Sequence, residues 1–132
     1  MKYLLDTDWI IDHLNGKKEV TSRIERLAKD GIGVSMISVA ELFEGVYGSR
    51  DYEKSIKALE SFLKGFTIIN IDIEAGKIFG RERNRLRKMG KTIGDFDLLI
   101  GSLCLRHNLV LLTNNRAHFD RIDNLRIISQ EV

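Results

Sequence analysis

Tyr3-Leu4-Leu5-Asp6-Thr7-Asp8 (YLLDTD, residues 3–8) is an apolar run of strand length that ends in two acids separated by a threonine. The same plan recurs downstream. Ile32 to Met36, Phe66 to Ile71, Leu109 to Leu112 and, more weakly, Leu125 to Ile128 are short runs rich in Leu, Ile or Val, the composition of buried strands. Longer stretches of helical period lie between them. From Glu74 to Met89, Ala75, Ile78, Phe79, Leu86 and Met89 keep helical spacing, as do Ile56, Leu59, Phe62 and Leu63 between Tyr52 and Leu63. Val39 to Val46 and Phe96 to Leu105 read as more fully buried helices. Strands alternating with helices predict βαβ units, hence an α/β fold with a mainly parallel central sheet of about five strands and helices on both faces.

The chain has 132 residues, 43% hydrophobic and 30% charged, and no proline, repeat or low-complexity linker divides it. These values predict one domain spanning residues 1–132. Cys104 is the sole cysteine, which excludes an internal disulfide scaffold and thiolate metal clusters and points to a reducing cytoplasm. No apolar window approaches the ~20 residues of a membrane span, and no signal-peptide pattern precedes Tyr3. The net charge is only +2, but Lys77, Arg81, Arg83, Arg85, Arg87, Lys88 and Lys91 are concentrated in one short stretch. Such a run is ordinarily a solvated helix face; it also suits a polyanion.

In an open parallel sheet, ligands bind beyond the carboxyl ends of the strands, so the polar residues that break each run are the candidate site. Asp6 ends the first run, at a place where it is not itself expected to cap the following helix. Thr7 or Asp8 is the expected cap of a helix beginning at Trp9. Glu41 follows the second run. Ser38 and Glu41 have capping-box spacing, and the alternative is a carboxylate aimed at the sheet's edge, with Glu44 as a less certain companion. Asp95 and Asp97 enter the helix after Gly94, and one N-cap accounts for one of them. Thr113 and Asn115 follow the Leu109 to Leu112 run. These positions present oxygen donors without His or Cys, the set that suits a hard cation such as Mg²⁺ or Mn²⁺. Packed carboxylates without a cation would repel one another. With one, they support metal-assisted phosphoryl transfer, in which the cation activates water and a further carboxylate accepts its proton. Trp9 and Phe96 adjoin the acids; either could stack on a base, with core packing the favoured fate of both. His118 is expected on the surface rather than as a ligand.

Competing patterns are weaker. Gly90-Lys91-Thr92 resembles the end of a P-loop, but Arg85 stands where the first glycine is needed. Asp6-Thr7-Asp8 is also similar to the nucleophile motif of haloacid-dehalogenase-like phosphatases, yet Ile10 and Leu99 occupy positions where that motif needs Thr or Val and an acid. A small metal-dependent phosphatase is therefore a minor alternative.

The order LLDTD, Ser35 to Leu42 (SxxxxAEL), IGDFDLLIGS and LLTNNRAHF resembles the PIN-domain ribonucleases over essentially the whole chain, and in particular the toxin component of VapBC toxin–antitoxin pairs. The resemblance implies that Asp6, Glu41 and Asp97 bind Mg²⁺ or Mn²⁺. It implies that Thr113 and Asn115 complete the site, and that Asp95 serves as ligand, base or helix cap. Many relatives carry Asp at the position of Asn115, so one negative charge fewer is expected here. It further implies RNA as substrate, a homodimer, and inhibition by a VapB-like antitoxin. The alternative of another class is a module that binds RNA or protein and retains the acids without catalysis.

Overall fold

The structure, a computed structural model, describes residues 1–130. The five strands are β1 (Tyr3–Leu5), β2 (Ile32–Ser35), β3 (Thr67–Ile69), β4 (Val110–Leu112) and β5 (Ile127–Ile128). They form one sheet in the order β3-β2-β1-β4-β5, and every pairing is parallel. The helices are α1 (Thr7–Leu14), α2 (Lys18–Leu27), α3 (Met36–Tyr47), α4 (Tyr52–Leu63), α5 (Ile73–Lys88), α6 (Asp95–His107) and α7 (Arg116–Phe119), with a 3-10 turn at Ala28–Asp30. The expected α/β architecture is therefore present. Helix α2 was not anticipated, although Val20, Ile24 and Leu27 supply its apolar stripe.

Side-chain alternation on the central strands divides the interior in two. Leu4 and Leu111 face α5, α6 and α7 through Leu86, Leu98 and Phe119. Tyr3, Leu5, Val110 and Leu112 face α1 to α4 through Trp9, Val20, Leu42 and Leu59. Leu4, Leu5, Leu111 and Leu112 are fully buried, each contributing about 1.5–3 kcal/mol of apolar transfer energy. Cys104 lies in the first of these cores, where burial pushes its thiol well above the usual range. Gly31 makes the turn into β2 at φ +86, and a Cβ there would come within 2.8 Å of the Met1 backbone, so glycine meets both demands.

Three helix starts differ from expectation, each because a residue earlier in the chain occupies the cap. Helix α1 begins at Thr7 rather than Trp9, and its N-cap is Asp6, whose carboxylate accepts from the Thr7 N–H at 2.8 Å. Helix α3 begins at Met36, since Ser35 at the end of β2 accepts from the Ser38 N–H at 2.9 Å. The Ser38–Glu41 capping box therefore does not form, and the Glu41 carboxylate is released from helix-capping duty. Gly94 occupies the cap of α6, which puts Asp95 and Asp97 at its first and third positions. Among the described residues, no helix is long and apolar enough to cross a membrane.

Candidate active site

The chain runs outward from β1 through β2 to β3, then returns to the other side of β1 for β4 and β5. The order reverses between β1 and β4, and the crevice at that reversal is where an open parallel sheet binds ligands. Asp6 leaves β1 there and Thr113 leaves β4 beside it. The Asp6 N–H donates to the Leu112 carbonyl at 3.0 Å, and the Thr113 hydroxyl donates to Asp6 Oδ2 at 2.7 Å. Both residues are buried. Asp8, expected as a simple cap, is drawn into the same network. It accepts from the Asn114 N–H at 2.8 Å and lies 3.4 Å from the Thr113 hydroxyl.

Glu41 reaches the crevice from the second turn of α3, where the Thr7 hydroxyl donates to its Oε1 at 2.9 Å. Asp97 enters from α6 with Oδ2 2.9 Å from His118 Nδ1. The same ring nitrogen lies 2.9 Å from the Asn115 side-chain amide. A proton on Nδ1 donated to the carboxylate is the pairing that charge favours, and the Asn115 amide then turns its oxygen toward the ring. The Asn115 backbone N–H donates to the Thr113 hydroxyl at 3.1 Å, joining the two halves of the network.

Asp95 is placed differently. Residues one and three of a helix project about 200° apart, so while Asp97 turns inward, the side chain of Asp95 is 79% exposed and ion-paired with Arg83 of α5. Arg83 also donates to the Ile93 carbonyl at 2.8 Å and lies 5.3 Å from the Phe79 ring centre. The pair braces the loop before α6. Asp95→Ala is expected to cost about 1–2 kcal/mol of stability, since Arg83, only 13% exposed, loses its charged partner and keeps just the Ile93 carbonyl. Urea unfolding of the purified variant checks the value.

The electrostatics point to a missing positive charge. Burial foremost, then Asp8 and more weakly Asp97, raise the Asp6 carboxyl to about 7 against the pull of Thr113 and Thr7. Burial likewise raises Asp8, and burial with Asp97 and Glu44 raises Glu41. Every charge acting on these three groups is another carboxylate. Among the described residues, no three Asp, Glu, His or Cys side chains already stand together in ligating position. Glu41 is held by Thr7 and Asp97 by His118, so the acids surround the crevice without closing on one point. An all-oxygen donor set, with Asp6, Asp8 and Glu41 raised and no cation among the charges acting on those three, fits a hard divalent ion.

Asp8, Thr7 and His118 are the members of this network that sequence reading left out. The pairing of Asp6 with Asp8 was visible as a D-x-D pattern, whereas nothing local announced His118, which comes to Asp97 across 21 residues. Trp9, expected in the core, is fully buried there, its indole N–H donating to Asn114 Oδ1 at 3.0 Å. Phe96, expected in the core too, is exposed instead.

This fold and this acidic crevice define a class. The family model for the PIN domain matches residues 3–125, and the chain belongs to the PIN-domain family. It is 36% identical over 128 residues to the protein named Ribonuclease VapC1 of Haemophilus influenzae strain R2866, covering 96% of each chain. It is 26% identical over 126 residues, again covering 96% of each, to the tRNA(fMet)-specific endonuclease VapC of Shigella flexneri. Among solved structures, VapBC2 from Rickettsia felis bound to a DNA fragment from its promoter matches with a TM-score of 0.93 at 34% identity, over 99% of this chain and 100% of that one. Family membership removes the phosphatase alternative.

Proposed function

We propose that this chain is a divalent-metal-dependent endoribonuclease, the toxin of a type II toxin–antitoxin pair, and that Mg²⁺ or Mn²⁺ is its ion. The observation that carries this reading is the buried, uncompensated carboxylate network around Asp6 at the β1/β4 crevice of a PIN-domain chain whose relatives are named ribonucleases. Asp6, Glu41 and Asp97 are the proposed ligands. When bound, the ion activates water and neutralises charge developing on the scissile phosphate.

The chain's own residues do the rest. Thr113 and the Thr7 N–H hold the Asp6 carboxylate from two sides, and the Thr7 hydroxyl aims Glu41. His118, supported by Asn115, orients Asp97. Asp8 is turned toward the Asn114 N–H and away from ligand duty, while Asp95 positions the α6 entrance through Arg83. On α5, Lys77, Arg83 and Arg85 are engaged by acids of the chain. Arg81, Arg87, Lys88 and Lys91 have no ion pair among the described residues and are exposed. They supply phosphate contacts that hold RNA without reading its sequence.

A VapB-like antitoxin is the protein partner, as in the solved VapBC complexes. A groove of about 370 Å³ between α1, α3 and α4, lined by Ile11, Leu14, Leu42 and Val46 together with Glu41, suits an apolar segment of such a partner. The cytoplasm is the proposed location.

The test is cleavage of a mixed RNA pool by the purified protein with Mg²⁺, with Mn²⁺ and with EDTA. Fragments that appear with either ion and vanish with EDTA are expected. RNA that is bound yet uncut under every condition would overturn the enzyme in favour of a binding module.

A further inference from the structure

Of the six phenylalanines, Phe96 alone is exposed, at 52%, whereas Phe119 is fully buried and the others are partly so. Its place is specific. The acidic cleft of about 390 Å³ at the start of α6 is lined by Glu41, Gly94, Asp95, Phe96 and Asp97. Three of those five are acids and one is a glycine, so the Phe96 ring is the only apolar side chain in the lining. Its backbone is well anchored. Asp95 on one side is tied to Arg83, Arg83 also holds the Ile93 carbonyl, and Leu98 and Ile100 on the other side are buried. The ring is thus an exposed face carried on an anchored backbone next to Asp97, and water is a poor partner for it.

A ribonuclease substrate offers two kinds of surface to such a cleft. The phosphodiester is anionic and repelled by the acids unless a cation intervenes, whereas the face of a base is neutral, flat and polarisable. Aromatic side chains hold unpaired bases by stacking and tolerate any base identity, since every base has a π-face. We propose that Phe96 is a substrate-positioning residue that stacks on an unpaired RNA base adjoining the scissile phosphate. This rests on the ribonuclease reading above and adds to it the positioning contact. It favours a purine next to the cut because the larger ring system stacks over more of the phenyl face.

The variants are Phe96→Ala, Phe96→Leu and Phe96→Trp; the ring is half exposed, so their folding is checked by thermal unfolding against wild type. Binding of a mixed single-stranded RNA pool is measured in EDTA, and cleavage of the same pool is measured with Mn²⁺, with the product ends sequenced. Phe96→Ala and Phe96→Leu are expected to weaken binding and raise KM by about 5- to 150-fold, with kcat within about twofold. Phe96→Trp should restore wild-type values, and the Ala variant should lose the purine bias at the cut. Wild-type behaviour of Phe96→Leu would overturn the proposal, because leucine keeps the apolar bulk without the ring. A fall in kcat alone would overturn it as well, marking Phe96 as a support for Asp97. Unchanged RNA binding combined with weakened binding of the antitoxin would assign the ring to the protein partner instead. A wild-type protein that cuts while Phe96→Ala is indistinguishable from it would remove the stacking contact alone; a wild-type protein that neither binds nor cuts the pool would remove the ribonuclease reading and this contact with it.

Discussion

Asp6→Asn is expected to abolish RNA cleavage and, in the same purified protein without metal, to raise stability. The two effects have one cause. Asp6 is buried beside Asp8 and within the field of Asp97, and its carboxyl is raised to about 7. Its negative charge is thus held at a cost that the Thr113 and Thr7 hydrogen bonds offset only in part and that a bound cation would relieve. Asparagine keeps the shape, still accepts the Thr7 N–H, and donates to the Thr113 hydroxyl oxygen, so the local bonds survive while the repulsion disappears. Loss of a metal ligand should reduce cleavage by at least about 10²- to 10³-fold, the range seen when one group that stabilises developing charge is removed. Asp97→Asn should lose as much activity with a smaller stability gain, because Asp97 already has His118 as a partner. The measurements are RNA cleavage rates with Mn²⁺ and urea unfolding in EDTA at pH 8. A folded Asp6→Asn protein that cuts RNA at the wild-type rate would sink the metal-site assignment.

The second large effect is a pH dependence of stability that metal reverses. The folded-state pKa of Asp6 lies above its ordinary value of 3.8. The protonated carboxyl is therefore favoured by folding, and its contribution is complete below about pH 4 and lost as pH rises through about 7. The interval between 3.8 and about 7 corresponds to about 4 kcal/mol at 1.36 kcal/mol per pKa unit, an upper bound for this one group. In EDTA the protein should be more stable at pH 5 than at pH 8. Asp8 and Glu41, raised in the same direction, steepen the slope. Mg²⁺ or Mn²⁺ takes the ionised carboxylates as ligands, so the gain in Tm on adding either ion should be larger at pH 8 than at pH 5. Thermal unfolding at both pH values, with EDTA and with Mn²⁺, reads all four corners. Equal stability at pH 5 and pH 8 in EDTA, with no response to Mn²⁺, would show that these carboxylates carry neither the strain nor the ion.

Much of the fold was legible because its strands are buried on both faces and so read as unbroken apolar runs, Tyr3 to Leu5 and Val110 to Leu112 above all. Helix α4 was legible to the residue, since Asp51 caps it and its apolar stripe is clean. Element starts were less so. Ser35 is at once the last residue of β2 and the cap of α3, and Asp6 caps α1 directly after β1, whereas local pattern assigns such a residue to one role only. The site was legible as a set of polar breaks after strands, which is why Asp6, Glu41, Asp97, Thr113 and Asn115 could be named together. Asp8 was read as a cap because its partners, Thr113 and the Asn114 N–H, stand over a hundred residues away.

By itself the sequence determined the alternation of strands and helices, the acids and hydroxyl at the strand ends, and the resemblance those motifs carry. These are local properties, set by side-chain period and by which residues tolerate a turn. Tertiary structure decided what becomes of the two acids that open α6: Asp97 turns in to His118 while Asp95, left by its motif as ligand, base or cap, turns out to Arg83. It also decided that Trp9 is buried while Phe96 is left facing the cleft. The reason is the same in both cases. A helical period specifies which residues share a face, but only the register of α1 and α6 against β1 and β4 decides where that face points.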